Sequence, residues 1–159
     1  MIQTAPSHLR FAILWHSIPA AAAMFAGEGG TLVEAPTAIR SLPSVAVRTS
    51  HFDLMLQAEE AALTWELPRL PMQGESLTVQ RLADHRLHYL DYEGPLSENR
   101  GQVVAWDRGR LVWQLCDVGC VQGLLFGDRL TAQLLLEVEP EQPKDWRLTA
   151  MLWQIEAVA

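Results

Sequence analysis

His51 and Asp53 are the two side chains of this sequence with the most definite chemistry. They flank Phe52 at the head of the run HFDLMLQ, residues 51–57. On a β-strand, residues two apart face the same way, so the imidazole and the carboxylate would lie side by side. A His and a carboxylate so placed can hold a divalent metal when a third donor comes from a neighbouring strand. The same pair can equally be an Asp accepting a hydrogen bond from a half-buried His, and H-x-D spacing alone does not separate the two.

Residues 81–108 are the second chemically dense stretch, with two His, five acids and four Arg in 28 residues. Asp84-His85 opens it, Tyr89, Asp91, Tyr92 and Glu93 follow, and Ser97-Glu98-Asn99-Arg100-Gly101 makes a polar turn. A histidine such as His85 can protonate or stabilise a leaving oxygen near neutral pH. Arg81, Arg86 and Arg100 carry planar guanidinium forks suited to phosphate. As local structure the stretch reads as two strands joined by a polar Gly/Asn loop, a hairpin whose titratable groups could simply face water.

The elements that must position these groups read as strands. Apolar runs fall at 8–16, 51–57, 61–67, 77–82, 86–92, 102–106, 110–115, 121–126, 130–138 and 147–155, with turn residues between them. That spacing predicts an all-β, mainly antiparallel barrel or sandwich. Both faces of 8–16 are mostly apolar, as expected of a strand buried on two sides. Residues 17–50 are an Ala/Gly/Pro-rich excursion after the first strand, read as loop with a short helix around 20–25. Trp106, Trp146 and residues 130–136 are expected to pack in the core rather than to stack on bases or meet a partner.

The 159 residues fit one domain spanning 1–159, with 17–50 as its insertion. Net charge is −7, with eleven Arg and a single Lys, Lys144. A protein that coats nucleic acid through released counterions is therefore not expected. No apolar run is long enough for a membrane span, and no ordered secretory signal stands at the N-terminus, so a cytoplasmic protein without membrane partners is expected. Cys116 and Cys120 are read as buried free thiols.

The run DHRLHYLDYEGPLSENRGQVVAWDRG, residues 84–109, resembles the DHPLEYADFEG…VWDRG signature of the 3′-phosphoesterase domain of bacterial ATP-dependent DNA ligase D. HFDLMLQ is similar to that family's HYDFRLE, and RFAILWH, residues 10–16, to its strand RFVVQKH. The resemblance implies a compact β-barrel and a manganese-dependent phosphoesterase acting on nucleic-acid 3′ ends in DNA end repair, alongside other repair proteins. It implies that His16, His51 and Asp53 hold Mn²⁺ and that His85 and Tyr89 contact the phosphate, with Arg81, Arg86 or Arg100 as further phosphate contacts. Three departures stand out. The two metal histidines are separated here by residues 17–50 instead of a short connection. The family's connecting Asp and Arg are gone. Met55 occupies the place of a phosphate-clamping Arg, a loss that commonly costs about 10²- to 10³-fold in rate. Met55, the net charge of −7 and the excursion favour one alternative, an inactive barrel serving as a binding module, and the acidic surface would suit another, a phosphoesterase for a small soluble ester. Oligomeric state has no signature in the sequence.

Overall fold

Strict alternation builds the core. In Leu130–Glu139, the side chains of Leu130, Ala132, Leu134 and Leu136 are buried and those between them are not, as a strand with one face to the core requires. The computed structural model describes residues 9–18 and 49–156, and in them the chain forms nine strands. These are β1 (Leu9–Ser17), β2 (His51–Ala58), β3 (Ala61–Leu67), β4 (Ser76–Arg86), β5 (Gly94–Pro95), β6 (Gln102–Asp117), β7 (Cys120–Gly127), β8 (Leu130–Glu139) and β9 (Gln142–Ile155). Eight of them close a barrel in the order β1-β2-β3-β4-β9-β8-β7-β6, with β6 returning to β1, and every pairing is antiparallel. Closure removes the exposed sheet edges that an open sheet would carry. The expected all-β barrel is therefore present, and the expected helix around 20–25 lies outside the described residues.

The interior is filled by Phe11, Ile13, Leu54, Leu56, Trp65, Leu125, Leu148 and their neighbours, with Trp146 and Trp153 among them. Trp106 stacks on Trp153, so the tryptophans pack as expected. A second, smaller apolar cluster lies on the opposite face of β1–β3, where Ala12, Leu14, Met55 and Ala62 meet Leu90 and Val103. It explains why Phe11 to Leu14 are all buried: the barrel core takes one face of β1 and this layer takes the other.

The chain departs from expectation in the stretch that supplies that layer. Residues 81–108 are not a hairpin. β4 pairs with β3 and β9, whereas β6 pairs with β1 and β7. The segment between them crosses the outside of β3, β2 and β1, and its Leu87, Tyr89, Leu90, Tyr92 and Leu96 cover their outer face. Residues 87–90, expected to extend a strand, form a 3₁₀ turn instead. Residues 102–106 and 110–115 are one continuous strand through Gly109, where a Cβ would stand 2.0 Å from the Phe126 carbonyl oxygen. That glycine serves close strand approach, not a turn. The thiols of Cys116 and Cys120 are free but not buried, because they flank the tip of the β6–β7 hairpin.

Asp107 is a structural carboxylate. It is 4% exposed and accepts backbone N–H groups of Asp128, Arg129 and Leu130 at 3.0, 3.2 and 2.8 Å, which pins the β7–β8 turn to β6. Asp107→Ala would strand those donors. The expected loss is about 2–4 kcal/mol, read as a lower urea midpoint at unchanged slope.

Candidate metal centre

Register brings the first pair to a third residue. Alternation puts His51, Asp53 and Met55 on the outer face of β2, and the antiparallel pairing of β1 with β2 sets His16 directly opposite His51. The two imidazoles meet edge-on with centroids 4.8 Å apart. All three side chains are buried, at 7%, 1% and 6% exposure for His16, His51 and Asp53. Just beyond this pair, the Ile18 N–H donates to Ser50 Oγ at 2.9 Å.

Backbone carbonyls fix which ring nitrogens face Asp53. His51 Nδ1–H donates to the Thr49 carbonyl at 2.8 Å, and His16 Nε2–H donates to the Arg100 carbonyl at 2.6 Å. Carbonyl oxygens only accept, so in the neutral rings the lone pairs lie on His51 Nε2 and His16 Nδ1. Those two nitrogens turn on the Asp53 carboxylate, at 3.1 Å to Oδ1 and 3.4 Å to Oδ2. Anchoring the far nitrogen to a carbonyl is the usual way a protein orients a metal-binding histidine. The Arg100 carbonyl is held there by Gly101, whose φ of +93° and 2.0 Å Cβ approach to the Ser17 carbonyl oxygen admit no other residue without displacement.

The residues present fit a divalent ion. Four buried polar side-chain atoms lack a hydrogen-bond partner among the described residues: the indole nitrogens of Trp65 and Trp153, and His51 Nε2 and Asp53 Oδ1. Native structures rarely leave such atoms orphaned, and two of these face each other in one cluster. Donors bonded at about 2.1 Å to one ion sit about 3.0–3.4 Å apart, from octahedral to tetrahedral angles. The 3.1 and 3.4 Å spacings fall in that range, and the candidate donor atoms all lie within 4.8 Å of one another.

Electrostatics tie the cluster to pH. Burial pushes the His51 imidazole down, but the Asp53 carboxylate and the Thr49 carbonyl outweigh it and hold its pKa above the ordinary 6.5. Burial likewise opposes ionisation of Asp53, yet its contacts with His16 and His51 hold the carboxyl at about 2. A metal must displace the His51 proton. Affinity for a divalent ion is therefore expected to fall about tenfold per pH unit below the raised pKa, with a proton released on binding. Calorimetry in two buffers of different ionisation heat checks this. In the metal-free protein the signs are opposite for the two groups. His51 contributes stability below pH 6.5 that is lost as pH rises through its raised pKa. Asp53 contributes stability above 3.8 that is lost as pH falls through about 2.

Beside the cluster lies a pocket of about 410 Å³ whose lining includes His16, His51, Asp53, Met55, His85, Arg86, Tyr89 and Arg100. Its wall is apolar, from Leu14, Leu82, Leu96 and Val103. His85 and Tyr89 meet, at 5.6 Å between ring centroids, where Tyr89 lies in the 3₁₀ turn that follows β4. His85 Nδ1–H donates to the Ala83 carbonyl at 2.9 Å, which leaves Nε2 as the free nitrogen. The three arginines part company. Arg81 stacks over Trp65 and spends its guanidinium on the Thr64 and Leu82 carbonyls and Asp84, so it does not line the pocket. Arg100 lines the pocket with its side chain folded onto Ser97. Arg86 lines it with no side-chain hydrogen bond or ion pair among the described residues.

Two features of the site have no signature in the sequence read alone. The carbonyls of Thr49, Ala83 and Arg100 that set the tautomers are backbone groups. Glu66, paired with Asp53 across β2–β3, puts its Oε1 3.4 Å from His51 Nε2. Strand parity from Trp65 could have put Glu66 on the outer face, but only register puts it beside His51.

Residues 45–144 match the DNA Ligase D 3'-phosphoesterase domain family. The match takes in His51, Asp53, His85 and Tyr89, while His16 joins them through the β1–β2 pairing. No curated protein matches the chain.

Proposed function

Because the chain belongs to the DNA ligase D 3′-phosphoesterase domain family, we propose that it is a manganese-dependent phosphoesterase that hydrolyses phosphate esters at nucleic-acid 3′ ends in DNA end repair. The observation that carries this reading is the buried cluster in which His16 Nδ1 and His51 Nε2 turn their lone pairs on Asp53, beside a pocket lined by His85 and Tyr89. His16, His51 and Asp53 hold the ion. Two imidazoles and a carboxylate accept a range of divalent ions, and Mn²⁺ is the one the family likeness favours.

A bound dication supplies Lewis-acid polarisation of the phosphate and a more acidic water. The chain's own residues do the rest. His85, tautomer fixed by Ala83, contacts the phosphate through Nε2 and, when protonated, gives a proton to the leaving oxygen. Tyr89 packs against that ring and limits its rotation. Arg86 brings a positive charge to the phosphate. Leu14, Leu82 and Val103 exclude water from one side, which strengthens each polar contact. Other repair proteins would act on the same ends. The setting is cytoplasmic, where Cys116 and Cys120 stay reduced. No helix among the described residues is long and apolar enough to cross a membrane.

Calorimetric titration with Mn²⁺ comes first, followed by oligonucleotides bearing 3′-phosphate or 3′-ribonucleotide ends and, in parallel, p-nitrophenyl phosphate. One-site binding and turnover of the oligonucleotides is the expected result. Turnover of the small ester alone would replace the nucleic-acid substrate with a soluble one, which a net charge of −7 suits better. Absence of metal binding would overturn the enzyme reading in favour of a binding barrel, the alternative that the buried Met55 favours.

A further inference from the structure

We propose that Glu66 is a fourth protein donor of the metal centre, making the site two imidazoles and two carboxylates. The inference rests on the metal reading above and concerns a residue outside the His16, His51 and Asp53 set.

The placement follows from β3. Trp65 and Leu67 are fully buried on the barrel side, so alternation puts Glu66 on the outer face with Ala62 and Thr64. The β2–β3 register sets it directly across from Asp53, where cross-strand Cβ atoms stand about 4.5–5.5 Å apart. Its Oε1 reaches 3.4 Å from His51 Nε2, and its side chain is 22% exposed. His51 Nε2 therefore faces two carboxylates, Asp53 at 3.1 Å and Glu66 at 3.4 Å, while its own side chain is 2% exposed.

A neutral imidazole whose Nδ1–H is committed to Thr49 has only a lone pair to offer there. Two anionic oxygens around that nitrogen call for positive charge between them, a proton on Nε2 or, once that proton has left, a metal ion. The 3.4 Å spacing is also what two donors of one ion would show at bond lengths of about 2.1 Å. The second carboxylate gives the donor set a formal charge of −2, which balances a dication, and adds a hard oxygen that favours Mn²⁺ or Mg²⁺ over softer ions.

The test is calorimetric titration of the full chain with Mn²⁺ for wild type, Glu66→Gln and Glu66→Ala, with Glu60→Gln in the exposed β2–β3 turn as control. Loss of a donor is expected to weaken binding by at least the ~10- to 100-fold typical of an outer-shell partner. The visible spectrum of the Co²⁺-loaded protein is the second readout. A lost ligand shifts the band position and intensity, whereas a carboxylate acting only through its field weakens affinity and leaves the spectrum as it was. Weaker binding with a changed spectrum in both Glu66 variants supports the proposal. Unchanged affinity, or weaker binding with an unchanged spectrum, overturns it and leaves the three-residue centre standing. Absence of binding in the wild type overturns both readings.

Discussion

Asp53→Asn is expected to weaken divalent-metal binding by more than ~100-fold and to remove phosphoester turnover, with the barrel still folded. The size follows from position. Among the described residues Asp53 is the one that both histidine lone pairs face, so replacing one of its oxygens by an NH₂ puts a donor where an acceptor is needed. Loss of a mere outer-shell partner already costs ~10–100-fold in affinity, and a direct ligand should cost more. The fold should survive because Asn keeps the shape of Asp and because the other face of β2, with Leu54 and Leu56 in the barrel core, is untouched. Calorimetry and circular dichroism on the one variant read both halves. His51→Ala makes the same claim less cleanly, since it also opens a cavity at a residue 1% exposed. Unaltered metal affinity in a folded Asp53→Asn protein would remove the carboxylate from the centre. Unfolding of both variants would recast the cluster as structural.

The site was legible in the sequence where it depends on local periodicity and illegible where it depends on register. His51-x-Asp53 needs only the two-residue period of a strand, and the expected shared face is present. His16 is far from His51 in the chain, and only the resemblance to a family strand pointed to it; the pairing that joins them is a non-local fact. Glu66 shows the same limit, since parity puts it on a face but not beside His51. Residues 81–108 failed in a different way. Two strand-like runs with a Gly/Asn turn between them match a hairpin locally, but their strands pair with β1, β3, β7 and β9. The chain needs a cover for Ala12, Met55 and Ala62 on the outside of β1–β3, and the crossing segment supplies it. Leu87, Tyr89 and Leu90 look like a strand because a 3₁₀ turn laid on an apolar surface buries similar residues.

That crossing segment also decides what Met55 means for activity. Met55 is 1% exposed, packs with Leu14, Leu90 and Val103, and lines the same pocket as His51 and His85. If no other guanidinium reaches the phosphate, Met55→Arg is expected to raise turnover by about 10²- to 10³-fold, the typical worth of one donor aimed at a developing oxyanion. An arginine can run its aliphatic stem along the wall that Met55 occupies and extend its guanidinium into the pocket. The added length in a packed layer should cost about 1–3 kcal/mol, visible as a lower melting temperature. Arg86 makes the outcome decisive. It is the pocket-lining guanidinium with no partner among the described residues, and could already do the work of the missing clamp. In that case Arg86→Ala lowers kcat by the same 10²- to 10³-fold, Met55→Arg adds little to the wild type, and Met55→Arg rescues Arg86→Ala. If neither substitution moves kcat in a folded, metal-loaded protein, no arginine clamps the phosphate, and the pocket serves a ligand other than a phosphoester.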